Sequence, residues 1–237
     1  MSRSKPEQAP WRNFYGRHKG KALRPAQERD ISALLPKVAL PNVSWDENPE
    51  RATIDLSGVF GQSDVWLEIG FGGGEHLAHL AEIHPDVGLI GCEPYVNGVA
   101  MMLGKIRTRA LNNVRIFDGD ARDVFDVLAP HCIDRVYLLY PDPWPKTRHH
   151  RRRFVNKEFI DPLAAAMKLG AELRIATDIE DYVRQTLDVV GQHEKFKWRA
   201  ERPEDWRMPW DNWTPTRYEK KALREGRKPH YLRFERV

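Results

Sequence analysis

Short apolar runs alternate with helical patterns through the middle of the chain, from Val65 to about residue 192. The runs have strand length and are continuously apolar, which is typical of strands buried on both faces; they cover 65–70, 87–92, 114–117, 135–140 and 172–176. Apolar residues recur at helical spacing in the segments 75–83, 95–110, 121–128, 156–169 and 180–192. Five strand–helix repeats predict an α/β fold with a doubly wound, mostly parallel sheet and right-handed crossovers.

The N-terminal part of the chain departs from this repeat. Residues 1–30 are polar and basic and contain few β-branched residues, so we expect a flexible N-terminal arm followed by one folded domain over 31–237. The aromatic residues of the arm, Trp11, Phe14 and Tyr15, either stack on bases or anchor the arm to the domain.

Three further elements are predicted outside the repeat. A short helix is expected at Asp30–Leu35 and a short strand near Ala52–Leu56. Residues His230–Glu235 alternate between apolar and polar, which favours a last strand that pairs antiparallel at a sheet edge.

A glycine turn follows the first apolar run, and a helical pattern begins at about Glu75. Without a Cβ, glycine lets the backbone turn sharply and approach a ligand, and the new helix offers unpaired N–H groups. Such a unit binds a nucleotide-like cofactor. A dinucleotide fingerprint needs a third glycine where Glu75 stands, which disfavours an oxidoreductase. Glu68 lies two residues before Gly70 instead, and acid-x-Gly-x-Gly-x-Gly resembles the first motif of S-adenosylmethionine (SAM) dependent methyltransferases.

Every predicted parallel strand ends in a carboxylate, and ligands of such sheets bind beyond the carboxyl ends of the strands. These acids are Glu68, Glu93, Asp118 with Asp120, Asp142 and Asp178. Glu93 lies where an acid reaches a ribose diol, although a helix-start acid favoured by the helix dipole fits the position equally well. Asp120 is either an N-cap or, as in methyltransferases of this type, the partner of an adenine. Taken together, Glu68, Glu93 and Asp120 indicate SAM.

The segment Pro141-Asp142-Pro143-Trp144-Pro145 is a stiff loop, because three prolines fix φ and remove backbone donors. Stiffness preorganises Asp142, as a catalytic carboxylate requires. Trp144 offers a face for a stacked base or packs the loop. Lys146 and the basic run 148–153 follow directly, where they would grip a phosphate backbone entering the site.

Net charge is modest but unevenly distributed. The 237 residues, enough for one α/β domain with a sizeable core, carry 38 Lys and Arg against 34 Asp and Glu, a net charge of +4. Three stretches are basic: residues 1–29, the run from Lys146 to Arg153, and the segment from Thr214 to the end. Any one of them reads as a solvated face, but the three together favour a polyanionic partner such as nucleic acid.

Three features of the sequence bear on the cellular compartment, and they agree. Cys92 and Cys132 have neither metal-ligand spacing nor a disulfide framework, which suits a reducing cytosol. No apolar run follows the N-terminal charges as in a secretory signal, and no stretch approaches the roughly 20 apolar residues of a membrane helix. We therefore expect a cytoplasmic protein with no metal and no membrane partner.

From about Arg12 to its end, the chain resembles the bacterial tRNA (guanine-N7-)-methyltransferases. The resemblance rests on Leu-Glu-Ile-Gly-Phe-Gly-Gly-Gly, Gly-Cys-Glu-Pro, Pro-Asp-Pro-Trp-Pro-Lys, Ala-Thr-Asp and Thr-Pro-Thr-Arg-Tyr-Glu. It implies a Rossmann-like class I SAM-dependent methyltransferase fold and methyl transfer to N7 of a guanine, at position 46 of the tRNA variable loop. Gly73 and Pro145 depart from the pattern of many relatives, but neither removes a functional group.

The resemblance also implies roles for individual residues. For SAM it implies Glu68, Gly70, Gly72, Glu93, Asp120, Ala121 and Asp142, with Asp142 also the catalytic residue. For the substrate it implies Lys146, Asp178, Thr216, Arg217, Tyr218 and Glu219, and for RNA contact Arg148, His149, His150, Arg151, Arg152 and Arg153. Thr216 and Glu219 also have the spacing of a capping box, which can coexist with substrate contact.

Guanine N7 carries a lone pair, so the expected reaction needs no proton removed, and Asp142 would stabilise the cationic product base. Asp178 or Glu219 would accept from guanine N1–H and the 2-amino group. The alternative is a SAM-dependent methyltransferase acting on another RNA or on an exocyclic amine, although an Asp-Pro-Pro-Tyr loop is missing. A non-catalytic RNA-binding module is disfavoured by the intact acids. Both a monomer and a homodimer are compatible with the sequence.

Overall fold

The computed structural model describes residues 12–62 and 64–237. A seven-stranded sheet forms its centre, in the order β3-β2-β1-β4-β5-β7-β6. The strands are β1 (Val65–Ile69), β2 (Gly88–Cys92), β3 (Val114–Phe117), β4 (Ile133–Leu139), β5 (Met167–Thr177), β6 (Phe196–Trp198) and β7 (His230–Arg236). The first five run parallel, while β7 pairs antiparallel with both β5 and β6. This confirms the predicted α/β class and the mostly parallel sheet.

Helices cover both faces of the sheet. They are α1 (Pro25–Ala33), α2 (Leu35–Val38), α3 (Leu56–Phe60), α4 (Glu75–Ile83), α5 (Val96–Arg109), α6 (Ala121–Phe125), α7 (Lys157–Ala166), α8 (Glu180–Val189), α9 (Glu204–Arg207) and α10 (Arg217–Arg224). Apolar residues of α3, α6, α7 and α8 pack on one face and those of α4 and α5 on the other. The central strands therefore have no solvent-facing side, which explains their continuously apolar sequence.

The chain reverses its direction across the sheet at β1. The strands proceed outward to β2 and β3 on one side of β1, and then to β4 and β5 on the other side. A crevice opens at such a switch point, beyond the carboxyl ends of the strands. The glycine turn after β1 and the acids that follow β2 and β4 therefore meet at one edge.

Several predicted boundaries were wrong. The helix expected at 30–35 is instead α1 followed by α2, and residues 52–55 form no strand before α3 begins. The helix expected at 156–169 ends at Ala166, because Met167 already pairs with Ile133 in β5. Apolar residues at a helix end and at a strand start look alike in sequence, so the apolar periodicity predicted a helix that extends beyond its true C-terminal end.

The last strand is correctly predicted as antiparallel but is not at an edge. Phe196–Trp198, only three residues long, pairs outside β7 and takes the edge position. So short a strand leaves no readable alternation in the sequence.

The described part of the predicted arm contacts the domain at several points. The guanidinium of Arg12 bonds Asp123 and Asp126 of the α6 region at 2.6 and 2.7 Å. Further along, the carbonyl of His18 accepts from Val96 N at 3.0 Å. Helix α1 starts at Pro25, inside the predicted arm. Trp11 lies outside the described residues, and flexibility of the arm stays a prediction.

No helix in the described ranges, 12–62 and 64–237, combines the length and the apolarity that crossing a membrane requires.

Candidate active site at the carboxyl edge of the sheet

The glycine turn after β1 adopts a backbone that only glycine takes without strain. Gly70, Gly72 and Gly74 have φ of +72°, +56° and +73°, in the left-handed region. Gly74 is the N-cap of α4, so the strand–turn–helix unit forms as predicted. Around Gly70 the space is open, since a Cβ built there meets nothing within 4 Å.

Glu68 is buried at the end of β1 and has a partner that the sequence did not suggest. Its Oε2 lies 2.8 Å from Nδ1 of His76, and both side chains are almost fully buried. His76 stands in the first turn of α4 and packs edge-on against Tyr137. The histidine therefore fixes the orientation of the carboxylate beneath the glycine turn.

Glu93 ties the end of β2 to the glycine turn. Its Oε2 accepts from Gly72 N at 2.6 Å, and its Oε1 accepts from Tyr95 N at 2.9 Å. Burial raises the pKa of Glu93, the two backbone donors oppose that effect, and the charge of Asp142 adds to it. The carboxylates of Glu93 and Asp142 are therefore near enough to influence each other.

Asp120 is the N-cap of α6, as the alternative interpretation held. Its Oδ1 accepts from Arg122 N at 3.0 Å and from Arg122 Nε at 2.9 Å. The Arg122 guanidinium also lies 4.7 Å from the Phe159 ring centroid. Any adenine contact by Asp120 must therefore share the carboxylate with Arg122. Ala121, the first residue of α6, is buried against the same edge.

Asp142 stands in the proline loop that follows β4, with its side chain exposed at the rim. Among the described residues, no donor bonds its carboxylate. Nearby protein atoms nevertheless desolvate this carboxylate in part, which raises the pKa of Asp142. The backbone is strained just before the loop and within it, because Tyr140 and Trp144 have positive φ angles, +51° and +41°. A carboxylate held by a strained, stiff loop and left free of protein donors is available to a ligand.

Trp144 packs its own loop instead of presenting two open faces. The Arg152 guanidinium lies 5.0 Å from the Trp144 ring and 4.3 Å from the Tyr15 ring. Tyr15 in turn meets Trp144 edge-on, with centroids 6.1 Å apart. The anchoring interpretation of Tyr15 and the packing interpretation of Trp144 therefore describe the structure.

The basic run forms a 3₁₀ helix, Thr147–Arg152, and divides into exposed and internal cations. Lys146, Arg148 and Arg151 are exposed, and His149 contacts Trp144 edge-on. His150 instead points to Asp181, at 3.2 Å.

Arg153 is the main correction to the predicted site. It is 1% exposed, and its guanidinium donates to Pro143 O, Gln185 Oε1 and Asp181 Oδ2 at 2.7–2.8 Å. We therefore withdraw Arg153 from the RNA-contacting set, because an internal guanidinium cannot reach a phosphate. Its bond to Pro143 supports the loop that carries Asp142.

Asp178 follows β5 and keeps one oxygen available. Arg227 bonds its Oδ2, and within the described ranges no donor is bonded to Oδ1. Tyr140 lies nearby in a largely desolvated setting, where burial and the charges of Glu219 and Asp178 raise the pKa of its phenol. Tyr140, Asp178 and Glu219 therefore lie near one another, next to the proline loop.

Glu219 is a buried structural acid. It is 3% exposed, and it accepts from Trp213 Nε1 at 2.8 Å and from the Tyr231 hydroxyl. Thr216 caps α10 by accepting from Glu219 N at 3.2 Å. Thr216 is therefore an N-cap, whereas the reciprocal bond of a capping box is absent, because the Glu219 carboxylate binds Trp213 and Tyr231 instead. We withdraw Glu219 from guanine recognition, since both of its oxygens already bind protein donors.

Arg217 and Tyr218 lie over the glycine turn. Arg217 Nη2 is 2.5 Å from Glu75 Oε1, and a Cβ built on Gly73 would fall 1.8 Å from that nitrogen. A Cβ on Gly72 would meet the Tyr218 ring at 3.3 Å. A side chain at residue 73 would therefore have to displace the Arg217 guanidinium, which is the end of a flexible and partly exposed side chain. The C-terminal segment and the turn form one surface.

Glu75 links three elements, because Lys105 of α5 joins the same network. Lys105 Nζ donates to Gly73 O at 2.7 Å and lies 3.9 Å from Glu75 Oε1. Burial would raise the pKa of Glu75, but the Arg217 bond and both nearby cations outweigh it, so that pKa is lowered.

We expect the pair of Glu75 and Arg217 to show coupling in a double-mutant cycle. With Glu75→Gln and Arg217→Met, thermal unfolding should give about 0.5–1 kcal/mol of coupling, because both side chains are partly exposed. The cycle of Glu75→Gln with Arg224→Met, an exposed arginine of the same helix, should be additive. Equal coupling in the two cycles would contradict the contact.

Four residues that sequence reasoning missed act as partners of predicted ones: His76, Arg122, Glu75 and Lys105. Arg122 follows Asp120 by two residues, and the return of a helix over its strand could have suggested His76. Contacts across α4, α5 and α10 leave no local signal.

The acceptors at this edge fit SAM chemically. SAM presents an ammonium group, a ribose diol and an adenine amine, which are all hydrogen-bond donors. The edge supplies carboxylates at the ends of β1, β2, β3 and β4, and an open space beside Gly70. Acidic acceptors also suit a cationic cofactor.

Comparisons with known proteins show the family of the chain. A family model described as "putative methyltransferase" matches residues 62–232. A tRNA (guanine-N(7)-)-methyltransferase of Ruegeria sp. strain TM1040 is 63% identical over 96% of this chain and 89% of its own length. The proteins with that name from Roseobacter denitrificans and Ruegeria pomeroyi are 61% and 58% identical, over 96% and 100% of this chain and 97% and 99% of their own.

Solved structures support the fold alone, since their identity to this chain is low. The 16S rRNA methyltransferase KamB gives a TM-score of 0.54 at 16% identity, over 78% of this chain and 95% of its own. A putative methyltransferase from Streptococcus mutans, solved in complex with SAH, gives 0.51 at 9% identity, over 74% and 90%.

Proposed function

The chain belongs to the tRNA (guanine-N(7)-)-methyltransferase family, and from that premise we propose that it transfers a methyl group from SAM to N7 of a guanine in tRNA. The Asp142 carboxylate is the observation that carries the proposal at the level of the site. It stands at the carboxyl edge, in a stiff loop, near Glu93, without a donor among the described residues. The target is the variable-loop guanine, position 46.

We assign the cofactor to the edge formed by the glycine turn. Glu93 would hold the ribose, Asp120 and Ala121 the adenine side, and Glu68 the methionine side beneath Gly70 and Gly72. When bound, SAM supplies a methyl group on a sulfonium, a good leaving group. Asp142 would complete the acidic lining on the β4 side.

Catalysis in this assignment is alignment and charge stabilisation. Guanine N7 has a lone pair in the ring plane, so no general base is needed and placement in line with the methyl group is the main task. The base becomes cationic as the bond forms, and a fixed carboxylate beside it stabilises that charge. Asp142 takes this role.

We assign the selectivity for guanine to Asp178. Its Oδ1 can accept from N1–H or the 2-amino group, donors that adenine does not present in the same way. The Tyr218 ring borders the site above the glycine turn. A target base must leave its stack, at a cost of a few kcal/mol. Phosphate contacts from Lys146, Arg148 and Arg151 would offset that cost.

Binding of SAM should weaken in acid at a higher pH than ordinary carboxylates would give. The pKa of Glu93, the proposed ribose ligand, is raised by burial, so this carboxylate protonates early as the pH falls. A raised carboxyl pKa in the folded state means that Glu93 adds stability, rather than removes it, as the pH falls. A titration of SAM affinity from pH 8 to pH 4 therefore measures the loss of this ligand contact.

Glu93→Gln is the matched variant for that titration. This variant should bind SAM more weakly at neutral pH, and its SAM affinity should fall less than that of the wild type as the pH is lowered. If the SAM affinity of the variant has the same pH dependence as that of the wild type, Glu93 is not a cofactor ligand.

The function is tested by methyl transfer from labelled SAM to an unmodified tRNA transcript, followed by nucleoside analysis. We expect 7-methylguanosine, and its loss when the variable-loop guanine is changed to adenine. Another methylated nucleoside would keep the methyltransferase and refute the N7 assignment. SAM binding without any transfer to tRNA would point to another RNA.

A further inference from the structure

A row of exposed cations borders a groove on the β2 side of the cofactor edge. Arg17, Lys19 and Lys21 line it together with Tyr95 and Asn97, and its volume is about 570 Å³. All three side chains line this one groove, so the three cations share one face. We call this row, Arg17, Lys19 and Lys21, the basic ledge.

The backbone of the basic ledge is fixed to the start of α5. Asn97 Oδ1 accepts from Gly20 N at 2.8 Å, and Asn97 Nδ2 donates to Lys21 O at 2.8 Å. Glycine lets the backbone approach Tyr95 closely, since a Cβ on Gly20 would fall 2.0 Å from the Tyr95 hydroxyl. The ledge is thus a built surface and not a loose tail.

Within the described residues, no carboxylate neutralises the charges of the basic ledge. No ion pair joins Arg17, Lys19 or Lys21 to any residue in the described ranges, and the lining of the groove contains no carboxylate. Arg12, a few residues earlier, is by contrast held by Asp123 and Asp126. The same segment therefore places one arginine as an anchor, while three cations have no acidic partner among the residues that the structure describes.

The position of the ledge relates it to the reaction edge. The segment passes the proline loop, where Tyr15 meets Trp144, and reaches the start of α5, where His18 meets Val96. It therefore runs from the loop after β4 to the loop after β2, the two strands that flank β1. The exposed cations of the 3₁₀ helix lie at one end of this path and the basic ledge at the other.

We propose that the basic ledge binds the phosphodiester backbone of the substrate RNA, as a second anchor on the opposite side of the cofactor edge from Lys146, Arg148 and Arg151. Two separated anchors would hold the strand on both sides of the target nucleotide and present that base to Asp142. The inference rests on the proposed function, since it takes tRNA as the substrate.

The test compares Lys19→Gln/Lys21→Gln with Lys195→Gln/Lys197→Gln, a pair with the same residue types and spacing on the far edge of the sheet. Binding of full-length protein to an unmodified tRNA transcript is measured from 50 to 300 mM KCl. Loss of two phosphate contacts should weaken binding on the order of tenfold near 0.1 M salt and reduce the salt slope by about 1.4–1.8. The control pair should match the wild type in both respects.

An unchanged affinity, or a weaker affinity with an unchanged slope, overturns the proposal, because phosphate contacts must release counterions. SAM affinity, measured separately, should be unaltered in both variants; a parallel loss of SAM affinity would assign the ledge to the cofactor site instead. The result is distinct from the proposed function. A wild-type protein that binds tRNA but forms no 7-methylguanosine refutes the reaction, and the slope comparison still decides the ledge.

Discussion

Replacing Asp142 with asparagine should lower kcat about 100- to 1,000-fold and change SAM affinity by no more than about threefold. Asparagine keeps the size of the side chain and removes the negative charge. That charge matters most when the guanine becomes cationic, so the transition state loses more than the ground state. Single-turnover methyl transfer and SAM titration measure the two quantities.

Asp188→Asn is the control for this charge change. Asp188 is exposed on α8, away from the carboxyl edge, and should keep wild-type kinetics. An equal loss of kcat and SAM affinity in Asp142→Asn would make Asp142 a cofactor ligand only. Wild-type kcat in that variant would remove it from the reaction.

Arg153→Met should destabilise the protein by about 3 kcal/mol, whereas Arg151→Met should change stability by less than about 0.5 kcal/mol. The Arg153 guanidinium is internal and bonds Pro143, Gln185 and Asp181. Removing the guanidinium leaves buried polar groups without a hydrogen-bond partner. Arg151, two residues earlier, is exposed, and no hydrogen bond or ion pair joins it to another described residue.

RNA binding should rank the same two variants in the reverse order. Arg151→Met should weaken tRNA binding and lower its salt slope by about 0.7–0.9, while Arg153→Met, measured below its melting temperature, should keep the wild-type slope. Chemical denaturation and a salt titration of both variants give the comparison. A stable Arg153→Met, or one with a reduced salt slope, would contradict the internal role.

The fold was predictable from sequence because burial on both faces leaves a strong signature. Each central strand is continuously apolar and each ends in an acid, so the sheet and its functional edge could both be placed. The signature fails for Phe196–Trp198, which is too short to show a pattern. It also fails at Met167, where one helix leads directly into a strand.

The sequence predicted which types of residue lie at the carboxyl edge, but not which residues pair with one another there. A run of seven cationic or histidine side chains cannot tell that Arg153 points inward, since that depends on Asp181 and Gln185 in a distant helix. In the same way, Glu219 reads as a free acid until Trp213 and Tyr231 are brought against it. Burial of a charge is decided by tertiary contacts, which a local pattern does not contain.

The most direct test of the central claim replaces one atom of the substrate, the proposed methyl acceptor N7. A tRNA carrying 7-deazaguanosine at the variable-loop target has a C–H in place of N7 and keeps the N1–H and 2-amino donors. We predict that it binds with wild-type affinity and accepts no methyl group from labelled SAM, while the guanosine-containing control is methylated. Methyl transfer to the 7-deaza tRNA at the control rate would contradict N7 as the acceptor.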